Sequence, residues 1–417
     1  MSAVSVSNVS AARSLRAHHP DYVIALVIAI LLAVGLVMMY SVSPILSQKL
    51  TGSVDRNYYF LNQIKYIGAG IVVWIVAASV PYTVWRRYAP TLLGLSIVAM
   101  LALLVPGLST SQNGATRWLH FGSLQFQPAE ILKVALILYL AAWFERRAEE
   151  LRSLWDGVLP FVVMVGAACF VIVVFQRDMG TMAVLAFAAL GMFFAAGLRI
   201  THLGLLIAAG LGAGLAAIAA FPHRVERVTT FLNLKCDDLA ALASSPNYHA
   251  CQALIATGSG GLFGLGLGRS IQVYGYLPEA ANDSIFAIIA EEFGLIGALA
   301  VVGLLGYLVY RGLMVARSAP DMFARLVATG ISLWLLFQAF INIGAMVSIL
   351  PLTGIPLPFI SYGGTSLIIS LFGAGILLNI SKYTIREGSD ADSRQRRGFG
   401  RTHSASARSM RRASVAR

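Results

Sequence analysis

Charge is scarce in this chain. Of 417 residues only 12% are Asp, Glu, Lys or Arg, against 58% hydrophobic. That balance excludes the two or three soluble domains that this length would otherwise allow. Cysteine is nearly absent, with three in all, and no Cys or His cluster has zinc spacing, so a structural zinc domain is excluded. A cleavable leader is not expected either. The first apolar run, Tyr22 to Leu46, is too long for one and follows about 20 polar residues, so it reads as a retained first span. The net charge of +12 invites a nucleic-acid reading, but ten of the 31 basic residues follow Ser381, and no basic stripe with interleaved aromatics marks a soluble domain. A positive-inside membrane protein accounts for that distribution without nucleic acid.

What the chain has in abundance is apolar runs of about 20 residues, the length that crosses a bilayer as a helix. Ten are read, at 22–46, 60–81, 88–107, 127–144, 157–175, 179–197, 201–221, 284–310, 322–346 and 361–381. Backbone groups in lipid must be satisfied internally, and these runs are too continuous for a barrel. The expected fold is therefore an all-α integral membrane protein with ten transmembrane helices. With both termini cytoplasmic, the inner segments hold 21 of the 31 basic residues and the outer segments eight, and Lys65 and Lys133 fall within spans. Residues 1–21 and the basic tail 386–417 read as disordered, and 22–385 as the membrane domain. The tail suits anionic lipid or a cytoplasmic partner.

One large extracytoplasmic loop, 222–283, lies between helices 7 and 8. A structureless loop of that length implies a function. It contains a glycine-rich apolar segment, Ala250 to Leu267, with the length of a re-entrant or interfacial helix. Gly266-Leu267-Gly268 is no dinucleotide fingerprint, since no strand precedes it.

Polar residues at the outer ends of spans are the candidate site. Asp283 stands where a polar loop enters span eight, four residues after Glu279. Asn282 or Asp283 can serve as a helix N-cap. An acid at a helix N-terminus also stays ionised and able to accept a proton. Glu130 and Lys133 share one face of span four and read as a structural ion pair or as the lining of a polar cavity. Gln176, Arg177 and Asp178 form a short outer hairpin, with Asp178 a capping residue or part of a site. Arg117, Arg224 and Arg227 are outer-face cations, suited to phosphate or to interfacial anchoring. Pro351, Gly354, Pro356 and Pro358 break the chain before Ser361 and span ten, which marks a second wall on the outer half. Cys236 and Cys251, 15 apart in the loop, are placed to form a disulfide if the outer face is oxidising. Cys169 lies in an apolar run as packing.

The residues resemble the SEDS family (shape, elongation, division and sporulation), which includes FtsW and RodA. The segments that carry the resemblance run in family order across about 22–385. They are Gln127-Pro128-Ala129-Glu130 with Lys133, Gln176-Arg177-Asp178-Met179-Gly180-Thr181 and Gly258-Ser259-Gly260-Gly261-Leu262-Phe263-Gly264. Leu277-Pro278-Glu279-Ala280 through Asp283, Ile289-Ala290-Glu291-Glu292 and Pro358-Phe359-Ile360-Ser361-Tyr362-Gly363-Gly364 complete the set. The resemblance implies a ten-helix fold and a peptidoglycan glycosyltransferase acting on lipid II and an undecaprenyl-pyrophosphate-linked glycan. It implies Asp283 as the catalytic acid–base residue and ties Arg117 to activity. Arg224 and Arg227 match a basic pair of the family. Substrate contacts are expected from Arg117, Glu130, Lys133, Gln176, Asp178, Arg224, Arg227, Glu279 and Ser361. It further implies a divalent cation, Mg or Mn, a class B penicillin-binding protein and other division proteins as partners. The Leu-Pro-Glu-Ala stretch leans to the division-type FtsW branch, at the septal cytoplasmic membrane, over the elongation-type RodA branch. The chain departs from the family pattern with Arg177 and Leu234 in place of Pro and Ala281 in place of His. A flippase or transporter of a lipid-linked precursor is the reading from another class. No corresponding pair of interrupted helices suggests the inverted repeats of a transporter. A non-catalytic division scaffold is a third reading, which a retained Asp283 disfavours.

Overall fold

In a computed structural model the described residues are 17–51, 56–105, 107–112, 115–121, 124–236 and 247–385. The tail segments 1–16 and 386–417, expected to be disordered, lie outside them. Among the described residues the helices are α1 Tyr22–Thr51, α2 Tyr58–Ser79, α3 Tyr82–Ala102, α4 Pro128–Arg146, α5 Leu159–Val171 and α6 Met179–Ala195. They continue with α7 Ile200–Ala219, α8 Pro222–Leu232, α9 Tyr248–Ser259, α10 Ile285–Arg317, α11 Met322–Met346 and α12 Gly364–Ser381. Turns of π-helix extend α5 on both sides, so the chain is helical from Leu154 to Gln176.

Each of the ten apolar runs holds a long helix. Seven helices are long and apolar enough to cross a membrane: α1, α2, the Leu154–Gln176 helix, α7, α10, α11 and α12. Of the others, α3 carries Arg86 and Arg87, α4 carries Glu130, Lys133, Glu145 and Arg146, and α6 has 17 residues. Burial ranks them. The apolar stretches of α11 and α12 are each 72% buried and that of α7 only 6%, so α11 and α12 form the centre and α7 the edge. Around that centre pack α2, α4, α6 and α10.

The all-α expectation needs one correction. A small antiparallel sheet, β1 Ser109–Gln112, β2 Ala115–Phe121 and β3 Leu124–Phe126, in the order β1-β2-β3, joins α3 to α4. Ser109 faces Leu119, and Leu119 faces Phe126 in turn. The local sequence accounts for it. Asn113-Gly114 is a strong hairpin signal between β1 and β2, but strands this short vanish in a hydropathy window of about 20 residues.

The glycine-rich segment is only half helical. Helix α9 stops at Ser259, and residues 260–271 run irregularly along the first turns of α10. There α10 is itself broken, at Gly294, with φ 66° and ψ −166°. Broken backbone among apolar helices needs substitute partners, and the two irregular stretches supply each other. Leu265 N donates to Glu291 O (2.9 Å) and Gly266 N to Glu292 O (3.0 Å), while Leu295 N and Ile296 N donate to Gly261 O (2.9 Å) and Leu262 O (3.3 Å). The side chains join in. Glu291 accepts from Ile271 N (3.0 Å) and Ser270 Oγ (2.5 Å), and Glu292 accepts from Gly268 N (3.1 Å) and from Ser41 Oγ of α1 (2.6 Å).

Candidate active site

Asp283 closes the turn that leads into α10. Within this turn Asn282 N and Ser284 N both donate to Glu279 O, at 2.9 and 3.2 Å, and Asn282 Nδ2 donates to Glu279 Oε2 at 2.5 Å. Glu279 itself has φ 49°, the left-handed region that bulky residues avoid, so the turn is held against local preference. The capping role expected for Asn282 or Asp283 is not seen. Ser284 takes the N-cap position, and no side chain caps the helix. Asp283 is 8% exposed, and among the described residues its Oδ1 has no hydrogen-bond partner. Burial pushes its pKa up to about 7, the Glu279 charge adds to the rise, and hydrogen bonds from its own amide and from Ser284 oppose it.

The second wall is the stretch 351–363. Gly354, with φ 73°, lies so close that a Cβ there would stand 3.7 Å from Asp283 Oδ2. Tyr362 N donates to Ala281 O (2.9 Å). Two amides one turn apart on α11 hold both walls. Asn342 Nδ2 donates to Asp283 O and to Ile355 O, each at 2.7 Å, and Gln338 Nε2 donates to Pro356 O at 2.9 Å. Gln338 Oε1 in turn accepts from Lys133 Nζ (2.9 Å) and Trp334 Nε1 (2.7 Å), and Lys133 pairs with Glu130 at 2.9 Å. Glu130 and Lys133 are thus buried and connected to the Asp283 turn through Gln338 and the 351–358 loop. The sequence alone does not reveal Gln338 and Asn342. Their only signal is two amides spaced four apart in an otherwise apolar helix.

The remaining expected residues divide. Ser361 Oγ accepts from Leu357 N (2.7 Å), which shapes the second wall. Asp178 caps α6, accepting from Thr181 N and Thr181 Oγ1, both at 2.9 Å. The next residue but one, Gly180, packs against Thr353 and Ile355, so this hairpin reaches the same wall. Gln176 is buried, and its Oε1 has no partner among the described residues. Arg117, on β2, donates through Nε to Gln176 O (3.1 Å) and through Nη2 to Arg177 O (3.3 Å) and so latches the sheet to that hairpin. Helix α8 carries Arg224 and Arg227. The Arg224 side chain lies outside what the structure describes, and Arg227 is exposed. Cys236 and Cys251 are joined by a disulfide, with Cα atoms 5.7 Å apart. His249, absent from the sequence reading, donates or accepts at 2.7 Å with Ser284 Oγ, next to Asp283. Nothing in the sequence links residues 35 apart in this way. Among the described residues no three His, Cys, Asp or Glu side chains converge as a metal site.

Removing Lys133 tests the buried pair. Lys133→Met leaves Glu130 uncompensated and is expected to destabilise by about 3 kcal/mol, with Glu130→Gln/Lys133→Met recovering much of the loss. Thermal denaturation of the purified variants measures both.

Fold and site together define a multi-pass helical membrane protein that keeps a buried carboxyl in a turn clamped between two irregular walls. A family model described as a cell cycle protein, covering FtsW, RodA and SpoVE, matches residues 21–386, and the chain belongs to that family. It is 36% identical over 366 residues to stage V sporulation protein E of Bacillus subtilis, covering 88% of this chain and 98% of that one. It is 38% identical over 375 residues to the probable peptidoglycan glycosyltransferase FtsW of Saccharophagus degradans, covering 89% and 94%. Among solved structures, the rod shape determining protein RodA of Thermus thermophilus matches with TM-score 0.62 at 27% identity, over 88% of this chain and 98% of that one. A chain of a peptidoglycan synthase complex matches with TM-score 0.67 at 26% identity, over 87% and 97%.

Proposed function

We propose that this protein is a peptidoglycan glycosyltransferase that polymerises lipid II into glycan strands for septal wall synthesis. In this reading all ten long helices cross the bacterial cytoplasmic membrane, both ends are cytoplasmic, and the Asp283 turn faces outward. The observation that carries it is the buried, unpartnered carboxyl oxygen of Asp283. The 4-hydroxyl of a GlcNAc attacks the anomeric carbon of MurNAc on the lipid-linked chain. The new C–O bond forms as the bond to undecaprenyl pyrophosphate breaks, with inversion. The hydroxyl proton passes to Asp283. With a pKa of about 7 the carboxyl is part ionised at neutral pH and matched to that transfer. Exposed Arg227, with Arg224 on the same helix, is the cation for the departing pyrophosphate. Arg117 is committed to backbone carbonyls and shapes the hairpin. The names of the relatives support the reaction class, and the match to a synthase complex supports a class B penicillin-binding protein as partner.

The test is lipid II polymerisation by purified protein, with and without a class B penicillin-binding protein whose transpeptidase is blocked. Strands that form in detergent, where no gradient exists, support the enzyme over a flippase or transporter. If folded protein with partner present yields no strands, the reading is wrong.

A further inference from the structure

We propose that the Cys236–Cys251 disulfide and His249 form an external clamp that positions Asp283, which rests on the role given to Asp283 above. The bond ties the segment after α8 to α9. Two residues before Cys251, on the same helix, His249 reaches Ser284 Oγ at 2.7 Å. The single Ser284 hydroxyl proton is drawn to Pro278 O (2.9 Å) or to the Asp283 carboxyl, so in either case the oxygen's lone pair accepts from the imidazole, which carries its proton on Nε2. Ser284 also donates its amide to Glu279 O and follows Asp283 directly. The clamp therefore bears on the Pro278–Ser284 turn through Ser284, while the Asn342 amide of α11 holds Asp283 O.

Two further observations fit. Burial, with the nearby Arg227 charge, lowers the His249 pKa to about 4, so the ring is neutral and holds that tautomer at ordinary pH. Helix α9 itself packs on α10 and α11, which gives the clamp a rigid base. His249 and the disulfide touch no reacting atom in this scheme. They are positioning groups, and their loss should lower kcat while leaving KM for lipid II near its starting value.

The experiment compares the purified full-length protein and its Cys236→Ser/Cys251→Ala, His249→Leu and His249→Gln variants, each with and without dithiothreitol. The dithiol is oxidised to its cyclic disulfide as the cystine becomes two thiols. Two readouts are taken: polymerisation kinetics, and hydrogen exchange of the peptide spanning Asp283 to Phe286. Expected are a fall in kcat of about tenfold on reduction or in the cysteine variant, faster exchange in that peptide, and a matching fall in His249→Leu that dithiothreitol does not deepen. His249→Gln, which keeps a side-chain N–H, should retain most of the rate. Unchanged exchange and kcat without the disulfide, or a full further loss when His249→Leu is reduced, would overturn the clamp. If the wild type makes no strands at all, the function assigned to the site fails, while the exchange measurement still decides the clamp.

Discussion

Asp283→Asn should abolish strand synthesis, with kcat/KM down by at least about 100-fold, the low end of what a positioned general base contributes. The wild-type rate should rise with pH and level off above about 7, because only the ionised carboxyl takes the hydroxyl proton. The stability consequence runs the other way. A carboxyl whose folded pKa is raised binds its proton more tightly in the native state, so the stability it contributes is complete below about pH 4 and is lost as pH rises through about 7. Asn is neutral at every pH. The variant should therefore match the wild type in thermal midpoint at pH 5 and equal or exceed it at pH 8. A variant that is inactive and markedly less stable at pH 8 would place Asp283 in structure rather than in chemistry. Full activity in a folded Asp283→Asn protein would remove it from the reaction.

The largest expected loss of stability is at the glycine interlock. A Cβ on Gly264 would lie 2.1 Å from Glu292 O, and its φ of 83° is one that other residues avoid. The neighbours it would strike are backbone atoms of Glu292 and Phe293 in α10, and Glu292 O already accepts from Gly266 N. No rotamer change relieves that overlap. Gly264→Ala should therefore cost on the order of 4 kcal/mol or more, or yield no folded protein. Gly261 is the matched control. Its φ is 55°, but nothing among the described residues lies within 4 Å of a Cβ there, so Gly261→Ala should cost only the backbone preference of about 1–2 kcal/mol. Thermal midpoints of the two purified variants, or their monodispersity in detergent, separate steric interlock from backbone preference. Equal, small losses would mean that the glycine segment does not hold α10 at its break.

Much of this was readable from residues 22–385. The ten long helices are legible because each coincides with a long apolar run, seven of them long and apolar enough to cross a membrane. Asp283 stood out because an acid at such a boundary is rare. The order of its motifs along 22–385 is enough to indicate the family to which the chain belongs. The sheet at 109–126 was missed because its strands are shorter than the hydropathy window. The N-cap reading of Asp283 failed because local sequence shows that a residue can cap but not where its carboxyl points.

Composition and the order of motifs determined the helices, the family and the acid, since each depends on residues near one another in the chain. The tertiary structure alone decided what surrounds the acid. Asn342 from α11, Gly354 from the broken segment and His249 through Ser284 converge on one turn from 59, 71 and 34 residues away along the chain. Such convergence is set by how helices pack. A side chain's partners, its burial and hence its pKa belong to that packing and are written in no single segment.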